Sequence, residues 1–232
     1  ALIGKWHLGY LQKHHPMNFG FQKFVGFKSG NVDYQSHRNR YGDMDWWDGL
    51  EMKDMSGYTT TLLTTLSEDY IKENKDKPFC LYIAHAAPHS PMQGPDEKAV
   101  RTEATPEGDK NSDRSNKEIY KDMVEELDWS VGRILETLKK YKLDENTFVV
   151  FFSDNGPVIN NGGSAGGYKG AKGSPWEGGH RVPGICYMPG TIKEGTTCEQ
   201  TVMSFDLFPT MLDMADIHYD DSKKKLDGTS LV

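Results

Sequence analysis

The sequence predicts an α/β fold in which a mostly parallel sheet is sandwiched between helices. Short apolar runs have the length and composition of buried strands, and longer segments between them have helical periodicity. Strands that alternate with helices along a chain usually form a parallel sheet whose faces the helices cover. Because the 232 residues contain no repeat and no clear linker, we expect one domain over residues 1–232.

The predicted strands are bounded by clear breaks in the apolar pattern. Ala1–Lys5 has the character of the end of a strand, and Phe79–Ala84 is a short apolar run directly after Pro78. Thr147–Phe152 is β-branched and aromatic on both faces, which favours a strand buried within a parallel sheet. Gly184–Met188 is predicted to be a further strand.

The predicted helices combine periodic apolar residues with recognisable ends. Residues 58–74 repeat apolar side chains at helical spacing. Ser115 and Glu118 form a capping-box pattern that opens a second amphipathic helix. A short helix over residues 206–215 tolerates Pro209 in its first turn. The sequence predicts irregular structure for three remaining segments: residues 8–56, 86–114 and 154–181.

Charge and composition exclude some classes of partner. The formal net charge is −7 and the isoelectric point is about 5.6, and the run Lys223–Lys225 is more typical of a solvated face than of a nucleic-acid patch. No run approaches the roughly 18 apolar residues of a membrane span. Cys80, Cys186 and Cys198 lack the spacing of a zinc site and permit at most one disulfide, so they leave the redox compartment open.

Two polar clusters follow the first predicted strands, at the position where sheets of this kind bind ligands. Lys5 and His7 are two residues apart and share a face in an extended segment; a cation beside an imidazole suits an anionic substrate that needs proton transfer. His89 follows Phe79–Ala84, with one proline before it and another two residues after it to restrict the backbone. Taken alone, the first pattern is better explained by a surface lysine and a capping histidine near a turn. The second is a weak signal by itself, because an ordinary Pro-rich loop with exposed histidines also explains it.

Two more clusters follow the strongest predicted strand. Asp154 and Asn155 offer a carboxylate and an amide oxygen, which are hard ligands for Ca²⁺ or Mg²⁺, although a plain Asn-Gly turn is the alternative. Lys172 lies among glycines that let the backbone approach a ligand, although a mobile surface lysine fits the same pattern. Glu177 and Arg181 are four residues apart and are predicted to form a structural ion pair.

Seven motifs in a fixed order resemble those of the sulfatase family, within the alkaline-phosphatase-like superfamily. Four of them contain the clusters above: GKWHLG (4–9), APHSP (87–91), FSDNG (152–156) and GAKGSPWEGGHRVP (170–183). The others are PGTIKEG (189–195), SFDLFPTMLDMA (204–215) and LDGTSL (226–231). One such motif is weak, but seven in order over nearly the whole chain are hard to reach by chance.

The resemblance implies a hydrolase of sulfate esters with an alkaline-phosphatase-like core. Its substrate would be a sulfated small molecule or glycan. On this resemblance, Lys5 and Lys172 hold the sulfate oxygens and neutralise charge in the transition state. His7 lies beside the nucleophile and helps to break down its sulfated form, and His89 contacts the sulfate and the leaving oxygen.

The resemblance also implies a divalent ion, Ca²⁺ rather than Mg²⁺, with Asp154 and Asn155 as two of its ligands. The family's nucleophile is a formylglycine made from the first residue of a C/S-x-P/A-x-R motif, and no Cys or Ser of this chain stands in such a motif. The family's Asp-Asp pair, which lies near its N-terminus upstream of the GKWHLG motif and supplies two more metal ligands, is also absent. We therefore expect part of a sulfatase catalytic domain, truncated at both ends, with formylglycine upstream and no turnover by this chain alone.

Two other functions fit parts of the pattern. A phosphonate or phosphoester hydrolase of the same superfamily would use a similar pocket, and a relative that lost its nucleophile would only bind carbohydrate. Family habit implies an exported protein. Trp46 and Trp47 could stack on a sugar, although packing of an irregular loop is the more economical interpretation. The sequence identifies neither the sulfated substrate nor the oligomeric state.

Overall fold

The computed structural model describes residues 1–105, 112–220, 222 and 225–232. These residues form two compact units, Ala1–Ile192 and Lys193–Val232. The first unit contains every strand, the two long helices and all the predicted site residues. The described residues of the second unit include one α-helix, which a short 3-10 helix at Ser204–Asp206 precedes.

A five-stranded sheet forms the centre of the first unit. Its strands are β1 (Leu2–Lys5), β2 (Phe24–Phe27), β3 (Trp47–Asp48), β4 (Glu51–Met52) and β5 (Tyr82–Ala84). They lie in the order β4-β3-β2-β1-β5. The central strand β1 runs parallel to both of its neighbours, whereas β3 and β4 extend the sheet in antiparallel fashion. The predicted α/β class with a mostly parallel sheet is therefore confirmed.

The three parallel strands touch one another through residues with little or no side chain. Gly4 of β1 pairs with Gly26 of β2 on one side and with Ala84 of β5 on the other. A Cβ built on Gly4 lies 2.1 Å from Ala84 O, and one built on Gly26 lies 2.1 Å from Gly4 O. Both glycines also have positive φ angles, which residues with a Cβ rarely adopt.

Two helices supply apolar side chains to the core around the sheet. The first, α1 (Thr59–Asn74), buries Leu63 and Ile71, and the second, α2 (Asn116–Lys140), buries Ile119, Met123 and Leu138. The predicted capping box at the start of α2 is confirmed, because the Ser115 hydroxyl accepts from Glu118 N–H while the Glu118 carboxylate accepts from Ser115 N–H.

The apolar run near residue 150 forms a separate, more exposed sheet. Here β6 (Val149–Phe152) pairs antiparallel with β7 (Gly184–Tyr187), whose four residues are all exposed. The prediction of a buried parallel strand over Thr147–Phe152 is wrong. The physical reason is the connection to β7, which carries only two short helical segments, Ile159–Asn161 and α3 (Glu177–His180). It lacks the long helix that usually returns a chain to a parallel strand.

The segment predicted to be irregular before residue 56 contains three strands, so that prediction is also wrong for β2, β3 and β4. Each is at most four residues long, too short for a periodic pattern to stand out. The strand predicted over Phe79–Ala84 is shorter, at Tyr82–Ala84. Residues 86–105 and 112–114 contain no helix or strand, in agreement with the predicted loop.

The second unit is built around α4 (Leu207–Met214), which confirms the predicted helix over residues 206–215. The carboxylate of Asp206 accepts from Met203 N–H at 2.7 Å and from Thr229 N–H at 2.9 Å, and so ties both flanking segments to this helix. Of the run Lys223–Lys225, the first two residues lie outside the described part of the chain. Among the described residues, no helix has the length and apolar character needed to cross a bilayer.

Candidate active site

The carboxyl ends of parallel strands meet at one edge of the five-stranded sheet. Lys5 is the last residue of β1 and is paired with Phe27, the last residue of β2. The pairing continues past the strands, because Trp6 N–H donates to Phe27 O at 2.9 Å and His7 N–H donates to Lys28 O at 3.2 Å. Lys5 and His7 therefore lie at the edge where ligands bind in α/β sheets.

His7 is held in an uncommon conformation against a surface that has no side chain. Its φ of +56° lies in the left-handed region, which few non-glycine residues adopt. The surface is the backbone of Gly30, where an added Cβ would lie 2.5 Å from His7 Nε2. The residues before Gly30 are fixed by the buried carboxylate of Asp45, which accepts from Lys28 N–H at 3.1 Å and from Ser29 N–H at 2.8 Å.

His89 lies in the loop after β5, and one of its ring nitrogens is already engaged. Nδ1 is 2.9 Å from Ser90 O, and because a carbonyl oxygen only accepts, Nδ1 carries the proton of the neutral ring. The loop itself is fixed by Tyr34, whose hydroxyl donates to His89 O at 2.9 Å, and by the bond from His89 N–H to Ala86 O at 2.9 Å. Nε2 is left as the atom that can meet a ligand.

Asp154 and Asn155 directly follow β6, and the Asn155 amide donates to Asp154 Oδ1. Their oxygens have the hard character that Ca²⁺ and Mg²⁺ prefer, so the donor set fits part of a cation site. Ca²⁺ takes about six to eight oxygens, more than two side chains supply. No group of three or more His, Cys, Asp or Glu side chains in the described part of the chain is placed to hold a metal ion.

The loop that carries Lys172 packs on the chain that follows Asn155. Lys172 N–H donates to Pro157 O at 3.0 Å, and Gly156 N–H donates to Gly179 O at 2.9 Å. This packing depends on bare backbone, since a Cβ built on Gly156 would lie 1.9 Å from Gly178 O. The glycines around Lys172 therefore bring its loop to the end of β6, as close backbone approach requires.

The charges at the ends of β1, β5 and β6 act on one another. Burial lowers the pKa of Lys5, Asp154 opposes this effect and Lys172 adds to it. Burial also lowers the pKa of His89; the ring's hydrogen bond to a carbonyl raises it, the two lysines lower it and Asp154 raises it. The pKa of His7 is lowered by burial and then by the same lysines. The structure thus brings these five predicted residues into one region, with Asn155 joined through Asp154.

The predicted ion pair between Glu177 and Arg181 is confirmed at 3.4 Å on α3. Both side chains are more than half exposed, so the pair contributes at most about 1 kcal/mol to stability. The backbone contacts described above hold this loop more firmly than the ion pair does.

Sequence reasoning missed the residues that surround His7. Gly30 and Asp45 lie in the segment predicted to be irregular, and only the unrecognised strand β2 places Gly30 beside β1. Trp46 is fully buried, with its ring 4.4 Å from that of His37 and 6.5 Å from that of Phe27, which confirms packing as its role.

Fold and site together define an α/β protein with a cationic region at the strand ends, where two lysines outweigh one carboxylate. The chain belongs to the sulfatase family, whose members hydrolyse sulfuric esters: the family model described as Sulfatase matches residues 1–217.

Curated relatives and solved structures agree with this assignment. N-acetylgalactosamine-6-sulfatase of Canis lupus familiaris is 33% identical over the whole chain and 45% of its own length. Arylsulfatase J of Mus musculus is 30% identical over 98% of the chain and 38% of its own length. The crystal structure of Ps i-CgsB has a TM-score of 0.85 and 30% identity, covering 99% of the chain and 53% of its own. The chain thus spans less than half the length of these curated relatives.

Proposed function

We propose that this chain contributes the sulfate-binding part of a sulfatase active site that acts on a sulfated carbohydrate. The observation that carries the proposal is electrostatic. The charges of Asp154 and Lys172 shift the pKa of Lys5, and the charges of all three shift the pKa of His89 at the strand ends. Two lysines near one carboxylate leave a local excess of positive charge in a chain whose net charge is −7. Such an excess favours an anionic ester and stabilises charge that develops on it.

The two histidines suit proton transfer at this anion. Burial and the neighbouring lysines lower the pKa of His89, which keeps its free ring neutral with Nε2 as an acceptor. A bound anionic ester adds negative charge and raises that pKa, so His89 can then carry a proton toward the leaving oxygen. His7, fixed against Gly30, offers a second imidazole, and burial together with the same lysines lowers its pKa.

We also propose that Asp154 and Asn155 contribute to a divalent-cation site. A bound cation would supply further neutralisation of charge at the ester. Formylglycine is the nucleophile that family membership suggests, and no Cys or Ser within the 232 residues stands in the corresponding motif. These residues therefore bind and orient the ester, and the nucleophile is not among them.

A sulfated carbohydrate is the substrate class that the relatives support. One relative is named for an N-acetylgalactosamine 6-sulfate group. Another structure, Ps i-CgsB in complex with k-i-k-neocarrahexaose, has a TM-score of 0.84 and 28% identity, covering 99% of the chain and 53% of its own. Tyr10 and Tyr41 are exposed, and aromatic faces of this kind suit a sugar ring.

Calorimetric titration with a monosulfated disaccharide tests the proposal. We expect Lys5→Ala and Lys172→Ala each to weaken binding about tenfold, because each removes a charge-assisted hydrogen bond. Lys139→Ala is the matched control, since Lys139 lies in the last turn of α2 and is not among the charges that shift the pKa of Lys5, His7 or His89. Unchanged affinity in both site variants would contradict the proposal. Tighter binding of the matched phosphate ester would instead favour a phosphoester hydrolase.

A turnover assay tests the part assigned to the nucleophile. We expect the purified 232-residue chain to release no sulfate from an aryl sulfate, because the motif that yields formylglycine is absent from it. Hydrolysis that Lys172→Ala abolishes would show that another residue of this chain serves as the nucleophile.

A further inference from the structure

One exposed cation near His7 has no part in the site described above. Arg40 lies in the segment between β2 and β3 and lowers the pKa of His7 together with Lys5 and Lys172. Its guanidinium donates to the Tyr41 hydroxyl at 2.6 Å and stacks over the Tyr41 ring at 4.9 Å. Within the described part of the chain, no carboxylate lies within ion-pair distance of this guanidinium.

Hydrogen bonds fix the loop that presents Arg40. Asn39 Oδ1 accepts from Tyr41 N–H at 2.8 Å and from Asp43 N–H at 3.2 Å, which closes a tight turn. The side chain of Arg38 donates to Gly42 O at 2.5 Å across the same turn. A loop whose tip is held in this way loses little conformational freedom when a ligand binds to it.

The same loop is tied to the backbone that supports His7. Arg101 Nη1 donates to Asn31 Oδ1 at 2.8 Å and to Arg38 O at 3.5 Å, and thereby joins the loop to the residue after Gly30. Asp45, which follows the loop, holds Ser29 on the other side of Gly30. Arg40 is therefore carried on a rigid extension of the surface against which His7 packs.

Two exposed tyrosines interact with this cation, Tyr41 by direct contact and Tyr10 through its charge. Tyr10, three residues after His7, is 53% exposed, and Tyr41 is 59% exposed. The charge of Arg40 also acts on the pKa of Tyr10, which burial and Asp45 raise. Aromatic faces suit the apolar face of a sugar ring, and a guanidinium suits a sulfate or carboxylate.

We propose that Arg40, together with Tyr10 and Tyr41, binds a second anionic group on the carbohydrate whose sulfate ester is bound by Lys5 and Lys172. The inference rests on the proposed function and deepens it by naming the substrate class as a carbohydrate with at least two anionic groups. The two lysines bind the sulfate that is hydrolysed, whereas Arg40 binds only the second anionic group. Arg40 therefore favours substrates that carry such a group.

Three disaccharides test this subsite by calorimetric titration of the full chain. One carries a single sulfate, the second carries an added sulfate on the neighbouring sugar, and the third carries a carboxylate there. We expect Arg40→Gln to weaken binding of the second and third about fivefold, as an exposed ion pair allows, and to leave the first within about twofold. Arg40→Lys should retain part of the preference, and Lys139→Gln should retain all of it.

The outcomes separate this inference from the function on which it rests. If Lys172→Ala weakens all three ligands but Arg40→Gln changes none, the sulfate site stands and the subsite is refuted. Equal weakening of all three by Arg40→Gln also refutes it, because Arg40 then acts only as general positive charge. If no ligand binds the wild-type chain, or Lys172→Ala has no effect, the proposed function fails and the subsite fails with it.

Discussion

At the candidate site, residues without functional side chains hold the functional side chains in position. His7 adopts a left-handed backbone conformation, and its ring packs on Gly30. The φ of Gly30 itself lies outside the left-handed region, so its backbone would accept a larger residue. Glycine is needed at position 30 because the His7 imidazole fills the space of a Cβ.

Gly30→Ala should therefore displace the His7 imidazole without unfolding the protein. The added methyl would lie 2.5 Å from Nε2, at the end of a side chain that can rotate away. We expect the free energy of unfolding to change by less than about 1 kcal/mol, because alanine also restricts the unfolded chain. The measurement is the NMR signal of the His7 ring, together with affinity for a monosulfated disaccharide, which should fall.

Gly132→Ala is the matched control for this change. Gly132 lies on α2 with no atom within 4 Å of an added Cβ, so alanine there should leave the His7 signals unchanged. If Gly30→Ala moves neither the ring signals nor the affinity, the contact between Gly30 and His7 does not position the imidazole.

Among the elements, α1, α2 and the residue directly after β5 meet through polar side chains. Thr64 Oγ1 donates to Ser130 Oγ at 2.6 Å, joining the two helices, and Ser130 Oγ lies 3.4 Å from His85 Nε2. His85 Nδ1 is shielded from solvent and has no hydrogen-bond partner in the described part of the chain. Burial lowers the pKa of His85 to about 4.

This histidine should make stability depend on pH between about 6.5 and 4. In that interval the unfolded chain binds a proton at His85, whose ordinary pKa is 6.5, while the folded chain does not. The stabilising effect of the neutral ring is complete above pH 6.5 and is lost as the pH falls toward 4. Because the residue as a whole is only half-buried, we expect a loss of about 2 kcal/mol, measured by urea unfolding.

His85→Gln isolates this contribution, since glutamine does not titrate and the other histidines remain. The wild-type protein should lose stability relative to the variant as the pH falls through this interval. Parallel pH profiles for the two proteins would mean that His85 is not held neutral in the fold.

How well the sequence predicts each element depends on the length of its signal. The 25-residue helix α2 is identified by its apolar periodicity and by the mutual hydrogen bonds of Ser115 and Glu118, which are local. The helix α1 is harder, because its buried face includes Thr60, Thr64 and Ser67, which count as polar in a periodicity argument. The strand β2 has four residues and one of them is Gly26, so no pattern distinguishes it from a loop.

At the scale of the whole molecule, the two units differ in how much of them is buried. In the first unit Leu2, Ile3 and Leu63 are fully buried. In the second, Thr210 is the buried residue of α4, and most other described residues are exposed. Local stability follows burial and hydrogen bonding, so it should differ between the units.

Amide hydrogen exchange should reveal this difference directly. We expect the amides of residues 193–232 to exchange at least about 30-fold faster than those of β1 and α1, which corresponds to about 2 kcal/mol in opening free energy. Mass spectrometry of peptides from each unit measures both in one sample, which provides an internal control. Equal protection of the two units would mean that they unfold together.

Sequence motifs predict which residues belong to the candidate site, but they do not predict the contacts that bring those residues together. Motifs identify Lys5, His89, Asp154 and Lys172 as members of one set, and strand order explains why the first two approach each other. Neither predicts that Gly156 must contact Gly178 for the Lys172 loop to reach the end of β6, because that contact joins two irregular segments. Arg40 lies outside every motif and is found only from the coordinates.

The contact of Gly4 with Gly26 and Ala84 has a consequence for how the site tolerates mutation. Backbone hydrogen bonds set the distance between neighbouring strands, and a side chain normally points above or below the sheet. At Gly4 and Gly26 the positive φ would instead direct a Cβ into the backbone of the next strand. At these positions the main-chain atoms of three strands are in direct contact, so the distance between the strands beside Lys5 depends on the backbone alone. Substitutions among the apolar core side chains should therefore leave Lys5 in place. A methyl group added at position 4 or 26 would instead force the neighbouring strands apart.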